Sequence, residues 1–361
     1  MQKKIPVTVI SWFLWSWKTT LLQNILVNRK WLKVALIVND MAELNIDAIL
    51  INNSDVSLNQ VTEKMIEISN GCICCTLRED LIIEVKNLIL EDKYDYIIIE
   101  STGISEPLPI AQTLTTLDEE SGVNLWELVY IDAMITVVDA INFMQNFSSY
   151  DTVSDAGWEI LELERSDDLE ESDDRNIVDL LVDQIEFADI IILNKVDGVL
   201  SVDLDKIISI VKWLNNSAEL IQTNYSKVDF EKLIWVNLFD MELSSQKASR
   251  IQELSKWHHV SEILEYWISS FIYRSNDLIN QNKFIDMLNL WFWWIVRAKW
   301  FISFDHDSDS SYIFSLSGNI AKIDPAWYKD DSIDYNQEIV FIWIDYDKDD
   351  IISRINECVS K

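Results

Sequence analysis

The sequence predicts an α/β fold, a mostly parallel doubly wound sheet followed by a smaller α+β unit, and three observations carry that expectation. Unbroken apolar runs recur at Val34–Val38, Tyr96–Glu100, 135–139 and 189–193, each closed by a polar residue. Continuous apolarity marks strands covered on both faces, as in parallel sheets sandwiched by helices. Helix-spaced stretches at 79–90 and 177–187 lie between those runs, the alternation that builds a doubly wound sheet. The end of the chain changes character: strand-like runs at 270–273, 296–304, 311–316 and 338–344 mix with helical ones at 282–290 and 349–358.

The first strand feeds the most informative stretch, residues 7–22. A β-branched run leads into a loop, and Lys18-Thr19-Thr20 opens a helix over about 19–28. That is the frame of a phosphate-binding P-loop, G-x-x-x-x-G-K-[ST]. The two required glycines are Trp12 and Trp17 here, with Trp15 and Ser16 between them. Such a loop holds phosphate with backbone N–H groups at a helix N-terminus, and glycine leaves the space free. A non-glycine residue in the left-handed region costs about 1–2 kcal/mol, or about 3–6 for three. Total stability of about 5–15 kcal/mol absorbs that strain. An indole inside the nest displaces the ligand itself, so this loop is expected to bind nucleotide weakly.

Composition extends the point. The chain has 6 Gly and 16 Trp in 361 residues, against an ordinary glycine share of about 7%. Trp31 and Trp267 precede strand-like runs, and Trp300 and Trp343 lie inside them. We read tryptophan as standing at many glycine positions; a Trp-rich natural protein is the alternative.

At this length two domains are expected, with ample chain for a core. No stretch approaches the roughly 20 apolar residues of a membrane helix. The N-terminus shows no signal-peptide pattern, and four cysteines, three of them clustered, make no secreted disulfide framework. A soluble, cytoplasmic protein is expected. The net charge of −32 argues against a nucleic-acid partner, whose phosphates need a basic footprint. Residues 150–174 are acidic apart from Arg165 and read as a surface insertion.

Three further constellations carry chemistry. Asn194-Lys195-Val196-Asp197 follows an apolar strand. N-K-x-D is the guanine-reading signature: the Asp carboxylate accepts from the base N1–H and 2-amino group, and the Lys stem packs on the ring. Glu100-Ser-Thr-Gly103 closes another strand, where a carboxylate can hold a magnesium-bound or attacking water and Gly103 admits the γ-phosphate. Lys18 would bridge the β- and γ-phosphates and Thr19 would ligate Mg2+. Cys72, Cys74 and Cys75 crowd three thiols into four residues and suit zinc or another soft divalent ion. Asp40 and Glu43 are candidate fourth ligands, while His258-His259 reads as a surface pair.

Together these motifs resemble the CobW family of P-loop GTPases, metal chaperones and metallocentre-assembly proteins. That family's G-x-x-G-x-G-K-T-T matches residues 12–20 except at the three glycines, Trp12, Trp15 and Trp17. Its C-x-C-C stands at 72–75, E-S-T-G at 100–103 and N-K-x-D at 194–197. Ser105-Glu-Pro107, Gln184-Ile-Glu-Phe-Ala-Asp189 and Arg297-Ala-Lys-Trp300, where R-x-K-G is usual, extend it over nearly the whole chain. The family's histidine-rich metal loop is missing.

The resemblance implies a Ras-like GTPase domain over 1–225, a connector over 226–257 and a family-type α+β domain over 258–361. It implies GTP, Mg2+ and Zn2+ as ligands, a client metalloprotein as partner, and is compatible with a homo-oligomer. Lys18, Thr19, Glu100 and Gly103 would be catalytic. Residues 12 and 15–20, with Asn194, Lys195 and Asp197, would bind nucleotide. Two other classes stay open: a nucleotide-free metal-binding scaffold, or another P-loop enzyme such as a small-molecule kinase.

Overall fold

A computed structural model describes residues 4–12, 18–28, 32–38, 64–67, 76–101, 103, 105–115, 124–152, 175–243, 268–291, 295–317, 320–326, 337–344 and 347–360. The first unit is a seven-stranded sheet whose neighbouring strands all pair parallel. Its strands are β1 (Ile5–Trp12), β2 (Val34–Val38), β3 (Lys64–Glu67), β4 (Tyr96–Glu100), β5 (Val129–Asp139), β6 (Ile190–Asn194) and β7 (Glu219–Thr223). The spatial order is β3-β2-β4-β1-β5-β6-β7. Helices α1 (Lys18–Asn28), α2 (Thr76–Leu90), α3 (Pro107–Thr115), α4 (Phe143–Phe147), α5 (Ile177–Phe187) and α6 (Ser201–Leu214) complete it.

Strand alternation divides the core between the two faces. Val7 and Val9 pack with Leu81, Val85 and Leu88 of α2, whereas Ile10 and Trp12 pack with Leu21, Leu22 and Ile25 of α1. Both faces are buried, which is why β2, β4 and β6 read as continuous apolar runs. The edge strands β3 and β7 lack that signature. β7 reads ELIQT and is largely half-exposed, so the apolar pattern did not reveal it.

Of the stretch expected to be a connector, residues 226–243 are packed against this unit. Phe230, Leu233 and Ile234 join the α1-side core. The fully buried Asp132 carboxylate accepts from the backbone N–H groups of Val236 (3.1 Å) and Asn237 (2.7 Å) and from the Tyr96 hydroxyl (2.5 Å). Burial pushes the Tyr96 phenol far up, so it stays a donor. Trp235 takes φ 58°, a backbone conformation that favours glycine.

The second unit is a five-stranded antiparallel sheet in the order β11-β10-β9-β12-β8. Its strands are β8 (Ile268–Ser275), β9 (Ile295–Phe304), β10 (Asp307–Ser317), β11 (Ile320–Pro325) and β12 (Gln337–Ile344). Helices α7 (Gln281–Trp291) and α8 (Lys348–Glu357) cover one face, burying Phe284, Phe304, Phe314 and Ile355. Asp347 caps α8 by accepting from the Asp349 N–H at 2.9 Å. From the other face Val296 and Ile342 join the core around α4, α5 and α6.

Candidate active site at the carboxyl edge of the parallel sheet

Strand order sets Glu100, Trp12, Asp139 and Asn194 side by side, at the carboxyl ends of β4, β1, β5 and β6. Such an edge is where doubly wound sheets bind ligands. Registers fix the row: Ile10 pairs with Glu100, Trp12 with Val137, and Asp139 with Asn194.

The β6 end is built by side chains. Asn194 is fully buried; its Oδ1 accepts from the Ser226 N–H at 2.9 Å and its Nδ2 donates to Ser226 Oγ at 3.0 Å. Lys195 takes φ 61°, ψ 32°, a left-handed conformation unusual without glycine. Its ammonium is held at 2.5 Å by Asp139 Oδ2. Asp139 also accepts from Ile141 N–H (2.8 Å) and Asn142 Nδ2 (2.9 Å), so this nearly buried carboxylate is well satisfied. The Asp197 N–H donates to Asn224 Oδ1 at 3.0 Å, while its carboxylate lies on an exposed residue. Gly198 follows at a close approach: a Cβ there would meet Ile141 Cδ1 at 2.5 Å. Asn24 of α1 donates to the carbonyls of Tyr225 (3.3 Å) and Ser226 (3.0 Å), tying this turn back to the helix that follows β1.

The β1 end differs. Trp12 is 2% exposed and lies in the core with Ile10, Leu21 and Ile25. For this residue the expected crowding of the phosphate space gives way to core packing, and among the described residues no hydrogen-bond acceptor meets its indole N–H. Residues 13–17, including Trp15, Ser16 and Trp17, lie outside the described residues, as do the side chains of Lys18 and Thr19. The α1 backbone begins at Lys18, and its first turn carries no acidic residue, leaving its positive end uncompensated. Thr20 is half-buried.

Glu100 is buried at the end of β4, and the Ser101 N–H donates to the Ile10 carbonyl at 2.9 Å. Gln184 of α5, fully buried, donates Nε2 to the carbonyls of Gly103 and Ser105, both at 3.1 Å. Of the residues expected to bind nucleotide, the described ones thus lie along one edge. Cys72, Cys74, Cys75, Asp40, Glu43, His258 and His259 lie outside the described residues. Among the described residues no group of three His, Cys, Asp or Glu is placed to hold a metal ion, and no helix is long and apolar enough to cross a membrane.

Sequence reasoning missed Asp139, Ser226, Asn224 and the role of Gln184 in holding the Gly103 turn. A signal existed for Asp139, which closes an apolar strand as Glu100 does. None existed for Ser226, whose partner lies 32 positions away.

Two family models match. One, described as CobW/HypB/UreG, nucleotide-binding domain, covers residues 6–222; the other, cobalamin synthesis protein cobW C-terminal domain, covers 268–359. The chain is 40% identical over 308 residues to zinc-regulated GTPase metalloprotein activator 1 of Dictyostelium discoideum, spanning 83% of this chain and 63% of that protein. It is 33% identical over 199 residues to the zinc chaperone CobW of a Sinorhizobium species, 54% of this chain and 52% of that one. The match thus spans less than two thirds of either relative. The crystal structure of the Zn(II)-bound YjiA GTPase from E. coli aligns over 99% of this chain and 100% of that one, at 19% identity and a TM-score of 0.46.

Proposed function

The chain belongs to the CobW/HypB/UreG family and carries a CobW C-terminal domain, and from that premise we propose that it is a GTP-binding, GTP-hydrolysing metallochaperone that delivers zinc to a client protein. The observation that carries the nucleotide half is the preorganised N-K-V-D turn. Asn194 anchors it to Ser226, Asp139 fixes the Lys195 ammonium, and the Asp197 carboxylate is left to face a ligand. In this reading Asp197 accepts from the guanine N1–H and 2-amino group, and the Lys195 stem lies along the ring.

The neighbouring edge takes the phosphates. By the sequence motif, backbone N–H groups of residues 15–20 would hold them at the start of α1, and Lys18 would neutralise charge between the β- and γ-phosphates. The donor set, the Thr19 hydroxyl and the buried Glu100 carboxylate, supplies the hard oxygens that Mg2+ prefers. Magnesium, when bound, would offset the charge that develops on the phosphates. Glu100 orients the attacking water, and the Gly103 N–H meets the γ-phosphate. We place the end of this domain near residue 243, beyond the expected 225, because 226–243 pack on it, and the start of the C-terminal domain near 258.

Zinc is the cargo in this reading, held by the thiolates of Cys72, Cys74 and Cys75, which lie in sequence between the P-loop and Glu100. The names of the relatives support zinc and a client metalloprotein as partner, and the composition supports a cytoplasmic location. Competition of GTP against ATP tests the nucleotide half: GTP should win, and equal competition overturns it. Zinc titration of the reduced protein against a chromophoric competitor tests the other. The triple Cys→Ser variant should lose one zinc per chain, and affinity should fall as pH drops because binding needs deprotonated thiols. Unchanged stoichiometry would remove the cysteines from the site.

A further inference from the structure

Helix α5 has two working faces. At 3.6 residues per turn, Asp179, Asp183 and Glu186 share one side of the helix and Gln184 points well away from it. Gln184 grips the Gly103 and Ser105 carbonyls, and the Thr136 hydroxyl donates to its backbone carbonyl at 2.8 Å. The acidic side meets the second unit. Lys322 pairs with Asp179, and Arg297 Nε lies 3.4 Å from Glu186 Oε1.

The antiparallel sheet is shaped for this contact. Lys299, Ser315 and Lys322 form one cross-strand row, and Arg297, Ser317 and Ile320 form the next. Small serines on the middle strand, Ser315 and Ser317, sit between longer side chains on the flanking strands. The β9–β12 register skips at Val296, and both Val296 and Arg297 come to the α5 side. Arg297 is 5% exposed, and its Nη1 donates to Ser317. In a chain with 29 basic and 61 acidic residues, three basic side chains on one sheet face are a concentrated use of positive charge.

We propose that α5 is a lever joining the Glu100–Ser105 turn to the C-terminal sheet, with Arg297 and Lys322 as positioning residues that set the turn through Asp179, Glu186 and Gln184. The proposal rests on the nucleotide reading of that turn only for its consequence, control of hydrolysis by the C-terminal unit. Among the described residues no donor meets the buried Gln184 Oε1. Linkage makes the effect mutual: a turn rearranged by nucleotide also loosens or tightens the clamp.

Hydrogen exchange on the full chain without nucleotide tests this directly. Lys322→Glu and Asp179→Lys should each speed exchange in a peptide spanning 101–110 by about fivefold. The double swap, Asp179→Lys with Lys322→Glu, should restore protection, while peptides from β1 and β5 stay unchanged throughout. Gln184→Ala should speed the 101–110 peptide and leave 295–317 as protected as before. Unchanged exchange at 101–110 in both single variants overturns the lever, and so does loosening that the swap fails to repair. Absence of GTP binding would count against the proposed function and leave this result standing.

Discussion

The β6 end and the β1 end of the site lie two strands apart on one sheet edge, and they are organised by opposite means. At β6, Asn194, Lys195, Asp139 and Ser226 hold one another through side chains, with no ligand needed. At β1, the cradle depends on backbone N–H groups of a loop where tryptophan stands for glycine, and the first of those tryptophans lies in the core. A site made of side chains tolerates a glycine-poor sequence better than one made of bare backbone, which needs the space and freedom of glycine. Guanine selectivity and phosphate affinity should therefore come apart in this protein.

The largest expected effect tests the core role of Trp12. Trp12→Gly should lower stability by about 3–5 kcal/mol in urea unfolding, because it empties a packed volume. A loss below about 1 kcal/mol would mean that the indole contributes little packing.

Next is Asp197→Asn, which turns an acceptor oxygen into a donor facing the base's own donors. Preference should move from GTP to xanthosine triphosphate by about a hundredfold, about 2.7 kcal/mol, in competitive titration. An unchanged preference would reduce the N-K-V-D run to a turn. Asn194→Ala should cost about 2 kcal/mol of stability by stranding the Ser226 N–H. It should also weaken guanine nucleotide binding, and calorimetry reads both.

The smallest effect lies at α5, behind the Gly103 turn. Burial, and then repulsion from Glu186, push the Asp183 carboxyl up from 3.8 to about 7, against the pull of Arg297 and Lys299. The folded state therefore binds this proton more tightly than the unfolded chain, and stability falls as pH rises between about 4 and 7. By surface area Asp183 is an exposed residue, so solvent screening discounts that push and holds the effect below about 1 kcal/mol. Asp183→Asn should flatten the pH dependence of unfolding in that window; an equally steep profile would assign the slope elsewhere.

The fold was legible wherever strands are buried on both faces, because β2, β4 and β6 need unbroken apolar runs. It was not legible at β3 and β7, edge strands with mixed sequences, nor at β11, where half-exposed residues give no apolar run. The packing of 230–241 was hidden for another reason: its anchor is Asp132, a polar residue in the middle of a strand more than a hundred positions away. For the candidate site, short motifs singled out Glu100, Gly103, Asn194, Lys195 and Asp197, which the structure sets along one sheet edge. Their supports, Asp139, Ser226 and Gln184, act across long sequence separations and belong to no local pattern.

We propose that this edge is a guanine nucleotide site whose base half is intact and whose phosphate half is impaired by tryptophan. Titration of GTP and ATP into the chain and into its Trp15→Gly/Trp17→Gly variant tests it most directly. The account predicts weak GTP binding by the chain, at least about a hundredfold tighter binding by the variant, and GTP preferred over ATP. Submicromolar GTP binding by the unaltered chain, or equal GTP and ATP binding by the variant, would contradict it.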